Sequence, residues 1–223
     1  MPLAVTPVEA PRAGGESPVR GMVDVWSASL EPPAPLGTHL WGCLSPDERE
    51  RAERFVFPRD RQRFAAGRAF LRLLLAQYLG AEPRSLRFSY GPNGKPALTD
   101  NRTDLRFNLA HSGPRAVCAL ARGAELGVDL ERVRPIDDAE AVARSSFSPG
   151  EVERLESLPE AARLRAFYEA WTRKEAFLKA LGHGLARPLD SFDVSLGPGE
   201  DPRLLRTAGD PDEADRFSPV SYT

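Results

Sequence analysis

The sequence predicts an α+β protein made of two similar halves, and three observations carry that prediction. A Ser-Pro dipeptide followed by an acid within the next two residues opens a short helix twice, at Ser45-Pro46-Asp47-Glu48 and at Ser148-Pro149-Gly150-Glu151. Serine is a good N-cap, proline fits the first helical turn, and acids there complement the helix dipole. Each short helix leads into a long amphipathic stretch that stops at a glycine, Gly80 and then Gly182, the usual residue just past a helix end. Short runs rich in β-branched and aromatic residues follow both, so the order strand, short helix, long helix, strands occurs twice without visible repetition of the residues themselves.

Taken along the chain, residues 1–21 ("MPLAVTPVEAPRAGGESPVRG") carry proline and glycine where a signal peptide needs an apolar core, and read as a disordered leader. "VDVW" suggests a strand over Met22–Ser27. The first short helix is expected to reach about Phe57, with Pro58 interrupting it, and the long helix to cover Arg59–Tyr78 with Phe64, Leu71, Leu74, Leu75 and Tyr78 on one side. "LRFSY", the turn Gly91-Pro92-Asn93-Gly94, "LRFNLA", "AVCAL" and "LGVDLERV" read as a strand-rich meander. A junction falls near residues 122–128, which gives an N-terminal half over 22–125 and a C-terminal half over 126–223. The second long helix is expected over Glu160–Leu181, with "SFDVSL" as a strand beyond it.

Composition removes several classes of function. The 30 basic and 32 acidic residues leave a formal charge of −2, so no global field points to nucleic acid or an anionic membrane, and any anion site must be built locally. Cys43 and Cys118 lie far apart with no C-x-x-C spacing, which suggests neither a disulfide framework nor a zinc site. No apolar run is long enough to span a bilayer. A cytoplasmic location is expected.

Chemistry enters at Gly127-Val128-Asp129-Leu130-Glu131. On a strand, residues two apart share a face, so Asp129 and Glu131 would project together. Like charges sharing a site repel unless a cation lies between them; two separately solvated surface acids are the other reading, and D-x-E alone does not choose. On the second long helix, Leu164, Phe167, Trp171, Leu178 and Gly182 fall on one stripe, with Glu175 inside it and Lys174 and Lys179 on its borders. A charge on an apolar stripe is costly unless paired or lining a cleft. A surface Glu175–Lys179 pair would add only about 0.2–0.5 kcal/mol; the neighbouring Trp171 favours the cleft. Lys95 after its glycine-rich turn reads first as a solvated loop lysine and His111 before Ser112-Gly113 as a turn histidine without a role, with phosphate contact as the other reading of each. The basic run from Arg49 to Arg63 reads first as a solvated helical face.

Taken together, "GPNGKPAL", "FNLAHSG", "GVDLE", "SFSPGEVERL" and "FYEAWTRKEAFLKALGHGL" resemble the 4′-phosphopantetheinyl transferases, and more narrowly their long, surfactin-synthetase-activating type, over roughly residues 22–196. The resemblance implies magnesium-dependent transfer of the phosphopantetheine arm of coenzyme A to a serine of an apo acyl, peptidyl or aryl carrier protein, with adenosine 3′,5′-bisphosphate released. It implies a pseudo-dimer of the two halves within one monomeric chain, with the active site in the cleft between them. By motif position, Asp129, Glu131 and Glu151 would hold Mg²⁺, Glu175 would act as general base, and Lys179 would contact the pyrophosphate and stabilise developing charge. His111, Ser112 and Lys95 would bind the nucleotide phosphates, with Arg51 and Arg63 near the 3′-phosphate. Ala110 replaces a frequent serine or threonine. The end, "DEADRFSPVSYT", implies a second half without its final strand. A binding module without turnover and a magnesium phosphohydrolase are the competing readings.

Overall fold

The structure is a computed structural model that describes residues 5–7, 18, 20–100, 103–182 and 187–222. It is α+β, as expected, and divides into two compact units, Met1–Leu130 and Glu131–Thr223. No helix among the described residues is long and apolar enough to cross a membrane.

The first unit orders β1 (Val5–Pro7), β2 (Val23–Ser29), α1 (Ala34–Cys43), α2 (Pro46–Glu53), α3 (Pro58–Leu79), β3 (Phe88–Tyr90), β4 (Pro96–Leu98), β5 (Leu105–Ser112) and β6 (Arg115–Arg122). Its main sheet runs β1-β2-β6-β5, all antiparallel, and β3-β4 forms a separate hairpin. Most of the expected leader lies outside the described residues, but Val5–Pro7 departs from that expectation. It pairs with Trp26–Ala28, where a free sheet edge offers unpaired N–H and C=O groups. α1 was not expected; Pro35 occupies its first turn, where a missing N–H costs nothing. α2 ends at Glu53, earlier than the expected Phe57.

α3 lies on one face of the sheet. Phe70, Leu71, Leu74 and Leu75 pack with Ala28, Phe107, Cys118 and Leu120 in one core. Tyr78 ties the helix to β2: its hydroxyl donates to Asp24 Oδ2 at 2.7 Å and accepts from Trp26 Nε1 at 2.8 Å. The other face is covered by Leu126 and Val128 over Ala119, Ala121 and Val25. Here the expected last strand of the meander is corrected: residues 125–136 belong to no strand. Leu126 and Val128 lie over a sheet face instead of joining an edge.

The second unit orders α4 (Ala139–Ser146), α5 (Pro149–Ser157), α6 (Glu160–Leu181), β7 (Phe192–Val194) and β8 (Leu204–Thr207). β7 and β8 pair antiparallel. Phe147, Phe167, Phe177, Leu178, Phe192 and Val194 form its core.

The two units share a device that the Ser-Pro openings only hint at. Both short helices begin with a capping box, Ser45 with Glu48 and Ser148 with Glu151. Both glutamates are 4% exposed. α3 and α6 are each 22 residues long and end at a glycine in the left-handed conformation, Gly80 (φ 60°) and Gly182 (φ 70°), where a Cβ would be strained. Arg72 and Lys174 occupy equivalent places in them, 14 residues after Pro58 and Glu160. Arg72 Nε donates to Glu48 Oε2 at 2.6 Å, and its Nη1 donates to Pro83 O and Leu86 O at 2.8 and 3.0 Å. Arg68 Nε donates to Glu48 Oε1 at 2.6 Å.

Burial alone would raise the Glu48 carboxyl, but the Arg72 hydrogen bond and the Arg68 charge overcome it and hold its pKa below the ordinary value. A depressed folded-state pKa stabilises the fold above the unfolded value, about 4.3, and that contribution disappears as pH falls through the folded value. Replacing Arg72 with Met should lower stability at pH 7 by about 3 kcal/mol, the scale of a broken buried pair. The difference from the parent should narrow below pH 4. Urea denaturation at pH 7 and pH 3 reads both; an unchanged midpoint at pH 7 would remove the pair from the account of stability.

Candidate functional site

β5 and β6 are joined by the two-residue loop Gly113-Pro114, with Ser112 paired to Arg115. Gly113 has φ 55°, and glycine at the first loop position is what a type II′ hairpin turn requires. This tight turn ends β5 with His111 exposed and Ser112 half-buried. Side chains alternate, so His111 follows Phe107 and Leu109 on the helix-facing side, while Ser112 follows Asn108 on the face crossed by residues 126–128.

Asn108 is a residue that sequence reasoning passed over. It is 4% exposed and its Oδ1 accepts from Val128 N at 2.9 Å, which pins the backbone beside Asp129 to β5. A buried polar residue in an apolar run was its only advance signal. Lys95 supports the same segment: Nζ donates to Glu125 Oε2 at 2.9 Å and to Leu126 O at 3.2 Å. Lys95 thus anchors the approach to the acidic pair, and a phosphate would have to compete with Glu125 for it. Asp129 is half-buried with Oδ2 shielded from solvent, and Glu131 is exposed.

Arg51 lines a cavity of about 640 Å³ together with Arg54, Arg68, Phe55, Phe64 and Tyr90. Glu48 and Glu50 also line it and pair with Arg68 and Arg54. The Arg51 guanidinium instead lies over the Phe64 ring, 5.3 Å from its centroid. Arg63 is not among the lining residues; its Nε and Nη2 donate to Glu31 Oε1 at 3.0 and 2.6 Å. With Asp47 also in the lining, three carboxylates face three guanidiniums in this cavity, and much of the basic stretch is engaged in ordinary ion pairing.

α6 differs from the expected helical face. Lys174, placed on the border by the sequence, is 0% exposed, whereas Glu175, expected inside the stripe, is half-buried. Ala166, Phe167, Ala170, Arg173, Lys174, Phe177 and Leu178 form the inward face. Trp171, Glu175 and Lys179 follow at intervals of four along its flank, all half-buried. Trp171 stacks on Phe167 at 5.8 Å and tilts against Phe147 at 6.4 Å, so it packs the helix into place. The arrangement puts a carboxylate and an ammonium one turn apart on a partly accessible line, a geometry suited to taking a proton and holding an anion together.

Glu151 stands apart from its expected role. Its Oε2 accepts from Ser148 N at 2.9 Å and from Lys174 Nζ at 2.7 Å, and its Oε1 accepts from Val194 N at 2.8 Å. Both oxygens are committed inside the unit, so the third magnesium ligand expected there is a helix cap and ion-pair partner in this structure. Among the described residues no three histidine, cysteine or acidic side chains are grouped as a metal site. Magnesium binds through one or two carboxylates, phosphate oxygens and waters more often than in an all-protein cage. Asp129 and Glu131 supply carboxylate donors of the kind such a site uses.

Family comparison covers both units. The 4′-phosphopantetheinyl transferase N-terminal family matches residues 31–122, and the 4′-phosphopantetheinyl transferase superfamily matches residues 125–221. The chain is 44% identical over 188 residues to the 4′-phosphopantetheinyl transferase HetI of Nostoc sp., covering 83% of this chain and 78% of that protein. It is 34% identical over 153 residues to the 4′-phosphopantetheinyl transferase Sfp of Bacillus subtilis, with 69% and 66% covered. The human L-aminoadipate-semialdehyde dehydrogenase-phosphopantetheinyl transferase is 31% identical over 165 residues, with 70% and 53% covered. With one match over most of the first unit, another over the acidic segment and the second unit, and most of HetI spanned, the chain belongs to the 4′-phosphopantetheinyl transferases, and to their long, Sfp-like type.

Proposed function

We propose that this enzyme transfers the 4′-phosphopantetheine group of coenzyme A to a serine hydroxyl of an acyl or peptidyl carrier protein and releases adenosine 3′,5′-bisphosphate. The observation that carries the reading is the similarity to phosphopantetheinyl transferases over both units. The serine oxygen forms a bond to the phosphorus bearing the pantetheine arm. The bond from that phosphorus to the adenosine bisphosphate oxygen breaks. Glu175 receives the serine proton, directly or through a water, as general base. Lys179, one helical turn on, offsets charge on the pyrophosphate as the bond breaks.

Asp129 and Glu131 would hold Mg²⁺. When bound, the cation neutralises charge on the phosphate under attack and on the departing one. Arg51, lining its cavity, and His111, exposed at the end of β5, are assigned to the nucleotide phosphates, with Ser112 and Lys95 in support. Arg63 keeps a secondary place because of its pairing with Glu31. Use of both halves by one coenzyme A, as in a pseudo-dimer with a central cleft, and action as a cytoplasmic monomer belong to this proposal.

Incubation with coenzyme A, Mg²⁺ and an apo carrier, followed by mass spectrometry of the carrier, tests it. The carrier should gain the phosphopantetheine mass; no gain with any of several carriers would favour a binding module. His111→Ala should weaken coenzyme A about tenfold or more, the scale of a hydrogen bond to a charged group. The 3′-dephospho form should be affected far less. Equal losses in calorimetry for the two ligands would contradict the role assigned to His111.

A further inference from the structure

The ion pair inside the second unit has a feature its counterpart in the first lacks: the residue after its cation is the proposed base. Lys174 Nζ donates to Glu151 Oε2 at 2.7 Å, to Leu189 O at 2.8 Å and to Phe192 O at 2.6 Å. An ammonium has three protons, and all three are directed to partners on three different segments, α5, the 3-10 turn Leu189–Ser191 and β7. The Phe192 ring lies 4.4 Å from Nζ and the Phe147 ring 5.6 Å. Glu151 extends the tie by accepting from Val194 N on β7. Burial pulls the lysine's pKa below its ordinary value while Glu151 pulls it back.

We propose that Glu151 and Lys174 are positioning residues: their buried tie fixes the rotation of α6 about its own axis, and through it the direction in which Glu175 and Lys179 point. Successive residues on a helix are about 100° apart, so a locked Lys174 sets the azimuth of Glu175 directly. A hydrophobic side chain of similar volume would fill the same space without specifying that angle, because apolar contacts are not directional. An ion pair with three directed hydrogen bonds specifies it. The first unit supplies an internal control, since Glu48 and Arg72 hold α3 by the same construction while Phe70, Leu71, Leu73 and Leu74 flank Arg72, none of them a chemical group.

The proposal rests on the assignment of Glu175 as base, and the test separates the two. Lys174→Met, the neutral double variant Glu151→Gln/Lys174→Met, Arg72→Met and Glu175→Gln are compared for kcat, for KM toward coenzyme A with an apo carrier, and for melting temperature. All kinetics are run below the transition of each variant. Lys174→Met should lower kcat about 10- to 100-fold, the scale of a small misplacement of a reacting group, with a smaller rise in KM for coenzyme A, since of the assigned coenzyme A contacts only Lys179 turns with α6. The double variant leaves no unpaired buried charge, so its melting temperature should recover toward that of the parent while kcat stays low. Arg72→Met should lose melting temperature and keep kcat. Lys174→Met added to Glu175→Gln should cause a smaller loss than it causes in the parent, because the part that acts through Glu175 is already removed.

Recovery of kcat together with melting temperature in the double variant would overturn the positioning role and leave Glu175 in place. So would a loss of kcat in Arg72→Met equal to that in Lys174→Met. Normal turnover by Glu175→Gln would instead remove the base on which the proposal stands.

Discussion

Asp129→Ala should abolish magnesium-dependent transfer while leaving the first unit folded. The expectation follows from how the segment is held. Leu126 and Val128 are packed against Ala119, Ala121 and Val25, Val128 N is bonded to Asn108, and Lys95 grips Glu125 and Leu126 O. None of these anchors uses the Asp129 carboxylate. Its removal therefore takes one of two assigned metal ligands and leaves these anchors in place. Magnesium dehydrates reluctantly and leans on carboxylate charge, so one remaining carboxylate should not retain it at ordinary concentrations. Asp129→Asn keeps the shape, removes the charge, and should be almost as inactive. Circular dichroism should be unchanged, and calorimetric titration with Mg²⁺ in the presence of coenzyme A should lose its signal. A variant that keeps parental turnover with the same magnesium dependence would sink the assignment of Asp129.

The elements that sequence reasoning reached are those whose signals are local. The two Ser-Pro helix starts, the glycine ends of α3 and α6, the full span of α6 and the turn at Gly113-Pro114 all follow from residues within one or two turns of one another. What escaped depends on contacts between distant segments. Residues 126–133 read as a strand, but alternation cannot say whether a partner edge is available, and here Leu126 and Val128 lie over a face. Glu151 looks like a free acid at a helix start until Lys174 and Val194 are brought to it. The face of α6 was misjudged by roughly one residue because the stripe was drawn through half-buried Leu164 and Trp171, which put Glu175 inside and Lys174 at the rim. The fully buried cation shows why that rule failed. A lysine satisfied by a carboxylate and two carbonyls is permitted in a core, and no periodicity of apolar residues reveals it. The core of the first unit was legible in α3 through Leu71, Leu74, Leu75 and Tyr78, all buried as expected, whereas the Glu48–Arg72 pair beneath it was not.

Glu175→Gln should slow transfer about 10²-fold or more, the usual scale for a lost general base, and leave coenzyme A binding nearly intact. The substitution keeps the length and shape of a half-buried side chain on the flank of α6. Trp171 remains stacked on Phe167 and Lys174 remains tied to Glu151, so the helix should neither shift nor melt. The amide cannot accept the serine proton, and the effect should fall on kcat while KM for coenzyme A is preserved, the signature of an interaction made only in the transition state. Single-turnover measurement with saturating coenzyme A isolates that step from product release. Lys179→Met in the same assay should also lower kcat, since the cation one turn away is assigned to the charge that develops as the pyrophosphate bond breaks. If Glu175→Gln turns over normally while Lys179→Met does not, the proton leaves the serine by another route and α6 contributes only its positive charge. If both are slow and Asp129→Ala is inactive, then a carboxylate that takes the proton, an ammonium that steadies the leaving group, and an acidic pair for the cation together account for the transfer.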